Sequence, residues 1–460
     1  MTRPLTEFIR ELCLEDVPGS AIHQATLCLL DLIGVAAAGR ETDLSRIIHE
    51  HVTHHFGCSD LKSRLMFDGR HVSPSGMALA GGMTIDSFDA HDGHPLTKGH
   101  AGVAVLPALL GFADARAEPI SAREFLTCML IGYEISIRAG IALHSTVADY
   151  HTSGAWNALG AAAIGARLLA LEAEQTRHAL GIAEYHGPRS QMMRCIDRPS
   201  MLKDGSGWGA MAGLSAAYLA SNGFTGAPAI TCEGEEALSF WSDLGDVWLI
   251  EDQYFKPYPV CRWAQPAVEA VASLVRQHNF RSQDVHSITI NTFHEAVRLQ
   301  GAAPRNTEEA QYSIAFPVAA MIARGAVGRD EITADALTNS EILGLAQKVK
   351  LKENVDYSAQ FPHQRLADLI VHLESGDEFA SGTTSARGDP ETPLSEQQII
   401  DKFFSLCEPL TGYERAKSLE HCVTGLAEEG ALATPLIDLL LCAPGKMHGV
   451  TQQSLDNSVA

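Results

Sequence analysis

Two stretches of this chain are built almost wholly from small residues, and they dictate how it must pack. Residues 158–170 read Ala-Leu-Gly-Ala-Ala-Ala-Ile-Gly-Ala-Arg-Leu-Leu-Ala, and residues 208–220 are again rich in Ala and Gly. Alanine is the strongest helix former, and side chains this small let backbones approach closely. The reading is two helices, over 156–173 and 208–220, at the buried centre of a helical domain. More helices surround them. Residues 21–39 are apolar and end on Gly39, a plausible stop; residues 103–113 are Ala/Leu-rich; Ser121-x-x-Glu124 reads as a capping box opening a helix toward Leu143.

The pattern changes after about residue 265. Residues 285–293 alternate through Ile288 and Ile290 as a half-buried strand, 349–355 suit a second strand, and 369–384 read as a hairpin turning at Ser375-Gly376-Asp377. Helical segments at 310–324 and 340–349 lie between them. Arg387-Gly-Asp-Pro-Glu-Thr-Pro punctuates the chain, and Ser395-x-x-Gln398 opens a new run of helices that continues to about Cys442. The expected organisation is therefore mostly α. A large all-helical domain comprises 1–265 and 395–460, and a smaller α+β domain comprises 266–394. The polar stretch from Lys446 is expected to fray.

A chain of 460 residues with 46% apolar composition supports a folded protein of more than one core. Its net charge of −22 disfavours nucleic acid and anionic membrane surfaces as partners. The apolar runs at 27–39 and 158–170 are too short to span a bilayer and carry Asp31 and Arg167. No signal-peptide core follows Met1. The ten cysteines form no Cys-x-x-Cys pair and read as reduced thiols of a cytoplasmic protein, mostly small core residues.

Chemistry-bearing residues concentrate in one segment, 86–102, which reads Asp-Ser-Phe-Asp-Ala-His-Asp-Gly-His-Pro-Leu-Thr-Lys-Gly-His-Ala-Gly. Gly93, Pro95 and Gly99 make it a loop. It aims His91, His94 and His100, with Asp89 and Asp92, toward proton transfer or metal binding. The plainer alternative is a solvated polar loop with helix caps. Three further places stand out: the turn Asp149-Tyr-His151-Thr-Ser-Gly, where His151 precedes a small-residue helix; Lys203 beside a Gly-rich turn; and Lys256 with Arg262 among aromatics and prolines. Their ordinary readings are a helix cap, an exposed loop lysine and cation–π packing. Together these residues are the equipment for removing a proton α to a carboxylate.

Over nearly its full length the chain resembles the MmgE/PrpD family. The matching features are Leu30-Asp31-Leu-Ile-Gly34 through Gly39, the aspartate loop leading to His100 and Val105-Leu-Pro107, and Gly132-Tyr-Glu-Ile with Arg138. They continue with His151, Lys203 followed by Gly-Trp-Gly, Lys256-Pro-Tyr-Pro, and Tyr312-Ser313. The family includes 2-methylcitrate dehydratase, cis-aconitate decarboxylase and iminodisuccinate epimerase, which act on small polycarboxylates without metal or organic cofactor. The resemblance implies an all-helical domain with an α+β lid, a homodimer, and pocket residues Asp89, His100, His151, Lys203 and Lys256. Three departures stand out. Asp89-Ala-His91-Asp-Gly93 replaces the Asp-Phe-Asp-Asp-Thr that relatives often carry, the loop before His100 is one residue longer than in the decarboxylases, and Phe316 stands for a decarboxylase tyrosine. These weigh against cis-aconitate decarboxylation.

The expected activity is a cofactor-independent lyase of dehydratase type acting on a hydroxylated di- or tricarboxylate. Lys203, Lys256 and Arg262 would hold carboxylates. His100 and His151 would move protons, and Asp89 would orient a histidine or act as the acid. An epimerase of an amino- or imino-dicarboxylate and a cis-aconitate-type decarboxylase are the alternatives within the family. A metal-dependent hydrolase using Asp89, His91, Asp92 and His94 is the alternative from another class.

Overall fold

The computed structural model describes residues 4–445; the tail expected to fray from Lys446 lies outside the described residues. The fold is mostly α, with a small mixed sheet and a two-stranded antiparallel pair, Ser63–Arg64 with His71–Val72. The chain parts into two compact units. Of the described residues, the first takes those up to Met192, Asp204–Gln253, and those from Ser395 onward; the second takes Met193–Lys203 and Tyr254–Leu394. The later boundary falls where the capping box at Ser395 places it. The earlier one follows Gln253 rather than residue 265, because backbone bonds commit residues 254–264 to the second unit. Phe255 N donates to Gly388 O at 3.0 Å and Cys261 N to Gln311 O at 2.8 Å. Segment 193–203, which carries no compositional mark, joins the same unit through Asp197, held by Arg298 Nε at 2.9 Å.

In the first unit the small-residue segments form helices Gly154–Leu168 and Ser206–Ser221, packed on each other and on Ala122–Thr146. A Cβ at Gly213 would lie 2.1 Å from Ala158 O, and one at Gly160 would lie 2.4 Å from Gly132 O, so glycine is required at both crossings. The helix expected over 156–173 stops at Leu168. Ala170 has φ of 51°, and a separate helix starts at Ala173. Ser121 caps Ala122–Thr146 by accepting from Glu124 N at 3.1 Å. Glu124 does not close the expected box; its carboxylate binds Arg167 at 2.6 and 2.8 Å. At Ser395 both bonds of the box form. That helix, Glu396–Thr411, packs on Gly19–Gly39, where Phe403 Cα would lie 3.1 Å from a Cβ at Gly34.

Among the described residues two helices, Gly19–Gly39 and Ala122–Thr146, are long and apolar enough to cross a membrane, longer than the stretch at 27–39 indicates. Their most apolar stretches are 78% and 94% buried inside the protein, which makes them core helices. Six of the ten cysteines are buried and none is in a disulfide.

In the second unit strand Val285–Thr292 runs parallel to Val349–Glu353 and antiparallel to Leu366–Leu373. Ile288 stands opposite Val349 and Val371, and Ile290 opposite Leu369. The buried positions Val285 and Ile288 are three apart because the register shifts between Val285 and Ser287. The expected hairpin pairs Leu366–Leu373 with Glu378–Ala380, and Thr384–Ser385 pairs with the start of the same strand. Helix Gln265–His278 packs on the sheet, with Ala315–Arg324 against it. The single helix expected at 310–324 is two, Thr307–Gln311 and Ala315–Arg324, separated where Ser313 Oγ accepts from Phe316 N at 3.0 Å.

Candidate functional site

Helix Pro74–Asp86 delivers the chain into the acidic loop, and helix Gly102–Ala115 takes it away. Between them the segment is irregular but not solvated. Asp86, Asp89, His91, Asp92, His94 and Thr97 are all buried. A polar surface loop is therefore the wrong picture; burying this many ionisable groups requires mutual pairing.

His100 is the best-defined member. Its Nδ1 lies 2.6 Å from the Asp92 carbonyl oxygen, which fixes Nδ1 as the protonated nitrogen and leaves the lone pair on Nε2. Its backbone N–H donates to Ser153 Oγ at 2.9 Å, and its carbonyl accepts from Asn157 Nδ2 at 3.1 Å. The His91 ring meets the His100 ring edge-on with centroids 4.1 Å apart. Asp86 Oδ1 stands 3.5 Å from His91 Nε2. Asp89, His91 and His100 each offer a donor atom, all within 4.8 Å of one another. Among the described residues they are the one such group able to hold a metal ion. The set proposed for a hydrolase differs: His94 Nδ1 accepts from Leu96 N at 3.3 Å and its backbone pairs with Gly99, so His94 shapes the turn.

A second layer braces this loop. Ser153, expected as a helix cap, instead gives its hydroxyl to Asp204, and Ser153 N donates to Asp204 Oδ1 at 3.1 Å. Asp204 N donates to Asp86 Oδ2 at 3.2 Å. Burial, and then the charge of Asp86, push the Asp204 carboxyl well above the usual carboxylate range. Tyr133 OH donates to Asp92 Oδ2 at 3.1 Å. Lys402, from the C-terminal segment, reaches Asp31 Oδ1 at 2.5 Å and the Ala90 carbonyl at 2.6 Å.

His151 sits two residues before Ser153, half-buried, with its backbone N–H donating to His144 Nε2 at 3.3 Å. Burial, and then the Arg189 charge, lower its basicity, which favours the neutral imidazole. Burial and the nearby Lys98 charge push His144 down to about 3.

The three cations lie in the second unit. Lys203 is no exposed loop lysine. It is 2% exposed, has φ of 49°, donates to Gln311 Oε1 at 2.7 Å and stands 4.9 Å over the Tyr312 ring. Lys256 is 1% exposed. Arg262 is committed to its own unit: it donates to Gln265 Oε1 and Arg387 O, each at 2.9 Å, pairs with Asp389 at 2.6 Å, and stacks 4.8 Å over Tyr254. That arrangement makes it a clamp within its own unit. Sequence reasoning assigned no part to Asp204, Ser153 Oγ, Tyr133 or His144. Their partners lie far along the chain or in turns whose course only the fold defines. The one available signal was Asp204 standing beside Lys203.

The family model described as the MmgE/PrpD N-terminal domain matches residues 3–244, and the MmgE/PrpD C-terminal domain model matches 258–427. A cis-aconitate decarboxylase-like protein oryM of Aspergillus oryzae is 22% identical, covering 96% of this chain and 97% of its own length. Human cis-aconitate decarboxylase is 23% identical over 88% of each chain, and the Aspergillus terreus cis-aconitate decarboxylase 22% over 96% of each.

Proposed function

Since this chain belongs to the MmgE/PrpD family, whose matched relatives are decarboxylase-type lyases, we propose that it is a lyase of dehydratase type. Its substrate would be a small hydroxylated di- or tricarboxylate, handled without a cofactor. The observation that carries the reading is His100, whose Nδ1 is held by the Asp92 carbonyl so that Nε2 is the basic nitrogen. In this mechanism one of His100 and His151 takes the proton from the carbon beside a carboxylate. The electron pair of that C–H bond becomes the new carbon–carbon double bond. The adjacent C–O bond breaks, and the hydroxyl leaves as water with a proton from the other histidine or from Asp89. Lys203 and Lys256 hold substrate carboxylates in the proposal; both are buried, as charge-assisted recognition favours.

Decarboxylation is the second reading, favoured by the names of the relatives. Against it stand His91 at the acidic loop and Phe316, buried in the second unit, where decarboxylases carry a hydroxyl. A homodimer and a cytoplasmic location complete the proposal. Exposed Tyr185, Trp208, Ile230 and Leu238 supply apolar surface for a partner copy.

The test is to incubate the protein with citrate, methylcitrate, aconitate and iminodisuccinate-type compounds in deuterated water and follow them by NMR. Loss of water with deuterium uptake at the α-carbon supports the proposal. Release of carbon dioxide selects the decarboxylase, and inversion without net loss selects the epimerase. Chelation is expected to leave turnover intact. A loss restored by added zinc, manganese or iron overturns the cofactor-free reading.

A further inference from the structure

We infer that Asp89, His91 and His100 form a binding site for a divalent ion of the zinc or cobalt type, and that the bound ion blocks the proton transfer rather than serving it. The blocking half rests on the reading of His100 given above; the binding half does not. Two imidazole nitrogens and one carboxylate oxygen are the donor set such ions prefer. The donor atoms already lie within 4.8 Å of one another, and the two rings meet with centroids 4.1 Å apart. Donors 2.0–2.2 Å from one ion stand roughly 3–3.5 Å apart, so the set must draw in slightly to bind one.

The surroundings carry the outer partners that a ligating histidine uses. The Asp92 carbonyl holds His100 Nδ1, and the Asp86 carboxylate stands 3.5 Å from His91. Asp86, Asp89 and Asp92 are buried in the same segment, beside Asp204, whose carboxyl is pushed up by burial and then by the charge of Asp86. His100 is only half-buried, which leaves a way in. An ion on Nε2 of His100 takes the lone pair that proton abstraction needs, so occupancy and turnover exclude each other.

The experiment uses the full chain, stripped with chelator and dialysed. Zinc is titrated by calorimetry and cobalt by visible absorption, and copper loaded at one equivalent is read by electron paramagnetic resonance. One ion per chain is expected, with copper coupled to two imidazole nitrogens. Asp89→Asn and His91→Asn should each weaken zinc by at least about tenfold, the loss typical even of outer-shell changes, while His94→Asn should leave affinity unchanged. The inference is overturned if no ion binds at one per chain, or if both variants bind as the parent does. Should His91→Asn fail to fold, the copper spectrum of the parent decides: no coupling to two imidazole nitrogens overturns the site. For the blocking half, α-deuterium exchange should fall in proportion to zinc occupancy, and full exchange at full occupancy overturns it. If no carboxylate exchanges at all, the proposed function fails while stoichiometric binding still upholds the site.

Discussion

At the scale of single residues, the proposed reaction gives His100 and His151 the proton transfers and leaves His94 to shape the turn. His100→Asn and His151→Asn should each lower α-proton exchange by about 10²–10⁴-fold while the fold survives. His94→Asn, whose ring accepts from Leu96 N, should cost far less turnover. Comparison of exchange rates with thermal midpoints checks this, and a dispensable His100 beside an essential His94 would reverse the assignment. His144 gives a pH prediction. Its folded value near 3 lies below the unfolded 6.5, so between these values the unfolded chain binds the extra proton. The contribution is fully present above about pH 6.5 and is lost as pH falls toward 3, up to about 4–5 kcal/mol. Thermal unfolding from pH 7 to 4 should show this slope, and His144→Asn should flatten it. Residue types were legible where chemistry is concentrated in one segment, as at Asp89, His91 and His100. Asp204 was not, because its role comes from Asp86, 118 residues away.

Among elements, contacts decide where helices end and which glycines are fixed. The run of small residues announces a helix but not its stop. Residues 156–173 look continuous, yet Ala170 turns into the left-handed region and the chain restarts at Ala173. Strands were legible in their alternation, whereas the slip between Val285 and Ser287 depends on a partner strand no local pattern names. Gly213→Ala should destabilise by about 1–3 kcal/mol, because its Cβ would meet the Ala158 carbonyl and backbone must move. Gly344→Ala, in a helix with open space around it, should be neutral or stabilising by about 0.5–1 kcal/mol. Thermal midpoints of the two variants should move in opposite directions; a silent Gly213→Ala would contradict the close crossing.

For the molecule as a whole, the discontinuous first unit was legible in the return of helical patterning at Ser395. The exact seam at Gln253 was not, since it is drawn by backbone bonds to Gly388 and Gln311. Lys402 ties the C-terminal segment to Asp31 and to the Ala90 carbonyl. Lys402→Met takes the cation from a carboxylate that is fully buried, a change that typically costs about 3–5 kcal/mol. Stability and exchange activity should fall together. Adding Asp31→Asn should recover stability but not activity, because the carbonyl of the loop still lacks its lysine. Equal stability of parent and Lys402→Met would remove the tie from the account.

The Lys402 tie spans 312 residues, and it bears on how the protein is made. On the ribosome the loop of Asp89 and His91 emerges 312 residues before the lysine that pins it at Ala90. Throughout that interval Asp31 and the Ala90 carbonyl wait for Lys402, which has not yet been synthesised. Any product cut short before Ser395, by a stop codon or a protease, loses that cation for good. The loop that holds Asp89 and His91 is thus finished by helix Glu396–Thr411, which is translated long after it.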